Sequence, residues 1–464
     1  MTSDLRRGLS ILGLIVAAWT MIGIAAHATY GARVSADEPQ YLLTAISLGH
    51  DGDLDIADEI AAEAYRPFHV VDLDPQTYPL DRDGRQISPH DPLLPVMIAP
   101  AMRLGGWVAA KATLAVLAAI LAMVTAWTAV RRFDVRQGVA LPVVGAFACT
   151  APLATYATQI YPEIPAALAV MVAVAALTGP LDRRGGTIFV LALIALPWLS
   201  IKYALVAAAL FALGCWKLRH HRHALALVTG ASAIAGATYL AAHRAIYGGW
   251  TAYATGDYFS ETGELAVVGT QPNYVGRSRR LVGLLIDDGF GIGAWMIGWL
   301  ILPFALGFLL RRRPPGWEVL VAPLGAGWFT ATFVALTLHG WWWPGRQLVV
   351  VLPLGVVVIA LAVDASSPAL RRVVMLAAVL GVTTWLWTTI EAITRRHVLV
   401  VDFDETSNPW MRLWRLALPN GRDLTVAADL LTLGWAAVVV ALIVAGSRQH
   451  AGRGPGLGRS THSK

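Results

Sequence analysis

Charged side chains are scarce in this chain of 464 residues: Asp, Glu, Lys and Arg make up 14% of it, against about 25% in an ordinary soluble domain. With 56% hydrophobic residues alongside, that deficit excludes a soluble multi-domain enzyme. Cysteine is nearly absent. Cys149 and Cys215 both lie in apolar runs, which excludes a disulfide framework and a thiolate metal cage and leaves two packing residues. No unit of about 20–50 residues repeats, and no two halves share a hydropathy pattern as they do in many secondary transporters. The acidic run Asp51, Asp53, Asp55, Asp58, Glu59 lacks the residue order of a calcium-binding loop and its closing bidentate Glu, and reads as a solvated face. The formal charge of +6 would suggest an anionic partner in a soluble protein. In a chain this apolar it must first be placed relative to a bilayer, so nucleic acid is not an implied partner.

What the sequence does have is a succession of apolar runs near the ~20 residues that cross a bilayer. They predict an all-α polytopic protein with twelve spans, at 9–29, 107–130, 138–156, 163–179, 186–201, 203–216, 224–243, 290–310, 317–338, 347–363, 373–391 and 426–446. Lys and Arg gather in alternate loops: Arg6/Arg7, Arg131/Arg132/Arg136, Arg183/Arg184, Lys217/Arg219/Arg222, Arg311/Arg312/Arg313, Arg371/Arg372 and the tail from Arg448. By the positive-inside rule these loops and both termini are cytoplasmic in a multi-pass cytoplasmic-membrane protein. Leu9 to Ala26 reads as an uncleaved first helix, not a signal peptide. The run from Pro92 to Leu104 is shorter than a span and would reverse the charge pattern if counted, so it is expected as an interfacial or re-entrant helix. Residues 1–446 thus form one transmembrane domain with long outer segments at 30–106, 244–289 and 392–425, and 447–464 is expected as a disordered tail.

Ionisable residues at the outer ends of spans carry the candidate chemistry. Ser35-Ala36-Asp37-Glu38-Pro39-Gln40-Tyr41 follows the first span. Asp37 can cap a short surface helix whose apolar face is Leu42, Leu43, Ile46 and Leu48, with Pro39 in its first turn. Capping does not require Glu38 as well, and a carboxylate fixed at the bilayer surface can serve as general base to a hydroxyl. Ser88-Pro89-His90-Asp91-Pro92 closes the same loop; His90 reads as a ligand, a proton carrier or, most commonly for a lone histidine, a plain surface residue. Glu163, in Tyr161-Pro162-Glu163, complements a helix dipole or faces a polar cavity. Lys202 and Arg346 stand on the outer side, where the positive-inside rule makes cations unexpected. Snorkelling explains them blandly, whereas an anionic partner explains them by charge. Arg277, Arg279 and Arg280 form a further outer basic group suited to lipid head groups, and Trp341 to Trp343 an interface belt.

Together these features resemble the GT-C glycosyltransferase superfamily, in particular its protein O-mannosyltransferase and aminoarabinose transferase branch. The resemblance rests on Asp37-Glu38 with Tyr41 after the first span, the long first loop, and the apolar segment following His90-Asp91-Pro92. It extends through Gln159-Ile160-Tyr161-Pro162-Glu163 and Leu196-Pro197-Trp198 to Lys202-Tyr203, about the first 210 residues, and on topology alone thereafter. It implies transfer of a sugar from a polyprenyl-phosphate donor to a hydroxyl acceptor on the non-cytoplasmic side. Asp37 would be the base, Glu38 its support or an orienter of the acceptor, and Lys202 and Arg346 the partners of the departing phosphate. Tyr41, His90, Asp91, Tyr161 and Glu163 would line the substrate site. No cofactor is fixed, and a divalent metal is left open. Absence of a large C-terminal soluble domain argues against a full oligosaccharyltransferase. The alternatives are a transporter or flippase for lipid-linked saccharides, which needs the cations but no base, and a non-catalytic assembly protein. Ala, Arg and Gly usage fits a GC-rich bacterial source.

Overall fold

The computed structural model describes residues 2–80, 84–423 and 425–449, so the expected tail lies almost wholly outside the described residues. Among these residues the regular elements are all helices, with isolated β-bridges tying the loops together. Seven helices are long and apolar enough to cross a membrane: Ser3–Ala25, Leu93–Arg132, Ile201–Leu218, Arg222–Thr255, Trp317–Val334, Pro368–Ile393 and Val426–Arg448. The chain is a multi-pass membrane protein.

Three further apolar helices, Gln137–Ala148, Glu163–Leu177 and Leu352–Asp364, are shorter. With 12, 15 and 13 residues they reach only about 18–23 Å, less than a ~30 Å hydrocarbon layer. Their position explains their length. Leu352–Asp364 is buried on nearly every face and packs against Leu93–Arg132, Gln137–Ala148 and Ile301–Arg312. A helix apolar all round belongs inside a bundle, where irregular backbone at its ends meets protein and not lipid. The peripheral helices show the opposite: Leu227, Ile234, Leu430 and Leu433 are exposed, an apolar surface that lipid covers at no cost.

Several expected spans are interrupted. Over 290–310 the chain makes two short turns, Ile292–Trp295 and Ile297–Leu300, and becomes a regular helix only at Ile301–Arg312. Met296 between them is extended, φ −144° and ψ 98°, in a stretch whose glycines weaken a helix. Over 138–156 the helix stops at Ala148, and Pro152 blocks its continuation. The run 92–104 does form its own helical piece. One rod from Leu93 to Arg132 is divided at Gly105 and at Gly106, whose φ of 63° and ψ of −159° suit glycine alone.

Glu38–His50 is a helix, as expected, but it is embedded and not laid on a surface. Tyr41, Leu42, Leu43 and Ala45 are buried and it packs along Leu93–Arg132. Segment 392–425 is organised by the buried Glu391, which accepts hydrogen bonds from Thr406 Oγ1 at 2.6 Å and the Ser407 amide at 2.9 Å and pairs with His397 Nε2 at 2.9 Å. The amides of Leu399 and Val400 then bond the carbonyls of His27 and Ala28, joining this segment to the start of the first loop. The basic group at 277–280 does not stand free: Arg277 donates to the Phe333 and Val268 carbonyls, Arg280 to those of Ala335 and Leu336, and Arg279 pairs with Asp429. Arg277 and Arg280 thus satisfy carbonyls at the end of the Trp317–Val334 helix, whereas Arg279 stays half exposed beside Asp429.

Candidate functional site

Asp37 directly follows Ala36, a non-glycine residue in the left-handed region at φ 47°. Such backbone costs about 1–3 kcal/mol and persists only where surrounding contacts hold it. The turn aims the Asp37 side chain away from the helix it precedes: it caps no amide of Glu38–His50. Instead Oδ2 accepts from Arg346 Nη2 at 2.6 Å, Oδ1 from Gln76 Nε2 at 3.4 Å, and His90 Nε2 stands 3.7 Å from Oδ2. Burial works against ionisation of Asp37, but the Arg346 guanidinium and the His90 imidazole outweigh it and hold the carboxyl well below the usual range. Its side chain keeps 23% of its surface open.

Arg346 links two carboxylates. Its Nε donates to Glu163 Oε1 at 3.0 Å and its Nη2 to Asp37, while Lys202 Nζ donates to the same Glu163 oxygen at 2.7 Å. The guanidinium lies over the Tyr161 ring at 4.0 Å and near that of Trp342 at 5.3 Å. Gly345 makes this approach possible: its φ is +85°, and a Cβ there would stand 2.8 Å from Ile292 Cγ2. Two carboxylates and two cations therefore balance in one desolvated group. Lys202 and Arg346 supply the positive charge between Asp37 and Glu163. The snorkelling reading fails for both cations, which turn inward.

The remaining predicted residues divide into those beside Asp37 and those behind it. The Tyr41 ring packs on His90 with centroids 4.5 Å apart, and its centroid is 6.4 Å from that of Tyr161, whose hydroxyl donates to the Ser35 carbonyl at 3.2 Å. Glu38 is fully buried and faces backbone. Its Oε2 accepts from the Ile160 amide at 2.6 Å and its Oε1 from the Ser35 amide at 3.0 Å. Burial pushes the Glu38 carboxyl up from its ordinary value, opposed first by Lys111. Glu38 thus ties the Asp37 turn to the Gln159–Tyr161 turn and has no open oxygen for an acceptor. Asp91 is likewise enclosed: Oδ1 accepts from the Tyr239 hydroxyl at 2.8 Å and meets His243 Nε2 at 2.9 Å, and Oδ2 accepts from the Ile201 amide at 3.0 Å. It positions Lys202 through its neighbour Ile201 and does not line the site, which corrects its assignment to substrate.

Sequence reasoning missed several participants. Gln76 carries no motif. Lys111 sits inside an apolar run five residues after Gly106, buried, with Nζ on the Arg33 carbonyl at 2.7 Å and its charge toward Glu38; an intramembrane lysine was the available signal. Glu163 Oε2, the Tyr203 hydroxyl and the amides of Gln40 and Gln159 are buried without a protein partner among the described residues, leaving hydrogen-bonding capacity around the ion group. A separate cavity of about 350 Å³ opens on the same loops, lined among others by Asp288, His339, Trp341, Arg415 and Arg422. Burial and the neighbouring Asp287 push the Asp288 carboxyl up to about 6.

No family profile and no curated protein matches this sequence. Among solved structures, ArnT from Cupriavidus metallidurans bound to undecaprenyl phosphate superposes with a TM-score of 0.55 at 12% identity, over 96% of this chain and 77% of that one. The Archaeoglobus fulgidus oligosaccharyltransferase in its apo form gives 0.47 at 13% identity, over 97% of this chain and 57% of that one. AglB from the same organism, in complex with an inhibitory peptide and a dolichol-phosphate, gives 0.46 at 13% identity, over 93% and 59%. At such identities the likeness concerns the fold alone: this chain is an all-helical, multi-pass membrane protein with a fold similar to that of ArnT.

Proposed function

We propose that this protein is a glycosyltransferase that moves a sugar from a polyprenyl-phosphate donor to a hydroxyl acceptor at the outer face of a bacterial cytoplasmic membrane. In this reading the chain crosses twelve times, its broken and short helices included, with both termini in the cytoplasm. The observation that carries it is Asp37: a carboxylate on a strained turn, partly open, held between Arg346, Gln76 and His90. The acceptor oxygen attacks the anomeric carbon while Asp37 takes its proton, and the bond from that carbon to the phosphate oxygen breaks, its electron pair leaving with the phosphate. Nη1 of Arg346 is not spent on a carboxylate and Lys202 spends one of its three donors on Glu163, so both have donors for the charge that develops. The undecaprenyl phosphate bound to ArnT supports the choice of donor class. Glu38 and Asp91 act as positioning residues.

The cavity lined by Asp288, Trp341 and Arg422 supports a route for the acceptor. Trp341 and Arg346 lie five positions apart, at most about 18 Å of chain, a span a short glycan can bridge.

The test is transfer from a labelled polyprenyl-phosphate sugar in membranes carrying the native chain or Asp37→Asn, which keeps size and removes the base. Transfer by the native chain and its loss in the variant at equal protein level is expected. Undiminished transfer by the variant would refute Asp37 as base, and no transfer from either form across several donors would favour transport or assembly of lipid-linked saccharides.

A further inference from the structure

The acidic run after the Glu38–His50 helix divides into two sets. Asp53 and Asp55 hold the turn: Asp53 Oδ1 accepts from Ser47 Oγ at 2.8 Å and the Asp55 amide at 3.0 Å, and Asp55 Oδ1 from the amides of Ala57 at 3.1 Å and Gln86 at 2.8 Å. These two have structural work. Asp51, Asp58 and Glu59 do not share it, and they converge, with one carboxylate oxygen from each within 4.8 Å of the others. Among the described residues none of the three forms an ion pair.

Glu59 distinguishes this group from an ordinary acidic surface. Its residue is only 5% exposed, yet Oε2 is buried without a hydrogen-bond partner. A buried carboxylate oxygen with no donor, beside two further carboxylates, calls for positive charge from outside the chain. Carboxylates this close do not all ionise unless a proton or a cation lies among them.

We propose that Asp51, Asp58 and Glu59 form a binding site for one divalent cation, calcium in preference to magnesium. Oxygens on one Ca²⁺ lie at about 2.3–2.6 Å from it and so stand up to about 5.2 Å apart, whereas on Mg²⁺ at about 2.0–2.1 Å they stand no more than about 4.2 Å apart. Three oxygens within 4.8 Å of one another lie inside the larger ion's reach as they stand, and water completes its shell on the exposed side of Asp51 and Asp58. Three carboxylates at a partly open site match the weak class of calcium sites, with dissociation constants of about 0.1–1 mM. The cation would pin the end of the helix whose other end carries Asp37 and Glu38, stiffening the turn without touching the reacting atoms.

The test is titration of the purified full chain in nanodiscs with CaCl₂ and with MgCl₂, by calorimetry and by thermal unfolding. The native chain is expected to bind one Ca²⁺ and unfold at higher temperature with it, and to bind Mg²⁺ at least about tenfold more weakly. Glu59→Gln should lose Ca²⁺ affinity by at least about tenfold, and Asp51→Asn, at an exposed position, does the same if Glu59→Gln fails to fold. Absence of calcium binding up to about ten times the weak-class constant, or binding unchanged in the folded variants, overturns the proposal and leaves a shared proton as the counter-charge.

Discussion

Exchanging Asp37 for Asn and Arg346 for Met, separately and together, measures the contact on which the site is built. The Arg346 side chain is 9% exposed and that of Asp37 23%, so the pair is screened far less than a surface bridge. A hydrogen bond to a charged group contributes about 1.5–3 kcal/mol net. Removing Arg346 also strips Glu163 of one of its two cations, so Arg346→Met alone should cost about 3–5 kcal/mol, the range for breaking a buried pair from one side. Asp37→Asn should cost less, and the double variant less than the sum, with a coupling of about 2 kcal/mol. The 18 tryptophans report unfolding of the chain in nanodiscs. A depressed carboxylate adds stability that is complete above its unfolded value near 4 and is lost as pH falls toward its folded one. The coupling should therefore be equal at pH 6 and pH 8 and decline only below about pH 4. Single costs that add to within about 0.5 kcal/mol would refute the claim that Arg346 holds Asp37.

Glu38→Gln should destabilise the protein by about 1–3 kcal/mol, since an amide nitrogen cannot accept from Ser35 or Ile160, and should lower sugar transfer without moving its pH profile; a moved profile would give Glu38 a direct proton role. Lys202→Met should lower kcat of transfer by about 10²–10³, the cost of one electrostatic donor, while Asp91→Asn should act more weakly and be accompanied by lost thermal stability. Asp288 has a raised folded value, about 6, so the folded state binds more protons than the unfolded between pH 4 and 6 and this residue's contribution to stability falls as pH rises through that window. Asp288→Asn should accordingly raise the unfolding temperature at pH 8 and leave it unchanged near pH 4; equal shifts at both would show that the side chain is not desolvated.

The residues of the ion group were legible as types and places before they were legible as contacts. Asp37, Glu163, Lys202 and Arg346 stood out because each is charged at the edge of an apolar run, where charge is costly. Their pairing was not legible, because Arg346 lies 309 positions from Asp37 and sequence spacing says nothing about neighbours across a bundle. Asp91 and Glu38 stood out by the same rule yet proved to hold backbone and side chains in place, since a buried carboxylate looks alike in sequence whether it meets amides or an open cleft. Gln76 went unseen because a neutral amide in a loop carries no penalty to notice. The acidic run was read as solvated as a whole, whereas burial of Glu59 sets it apart.

By itself the sequence determined that this is a helical membrane protein with a charged first loop, because hydropathy and the cost of burying charge act locally and leave a periodic record. Only the tertiary structure decided which helices are short and enclosed, that Asp37 faces Arg346 and not its own helix, and which carboxylates stay open. Those outcomes depend on packing between distant segments, where a strained Ala36 and a close-set Gly345 are tolerated because the whole bundle holds them.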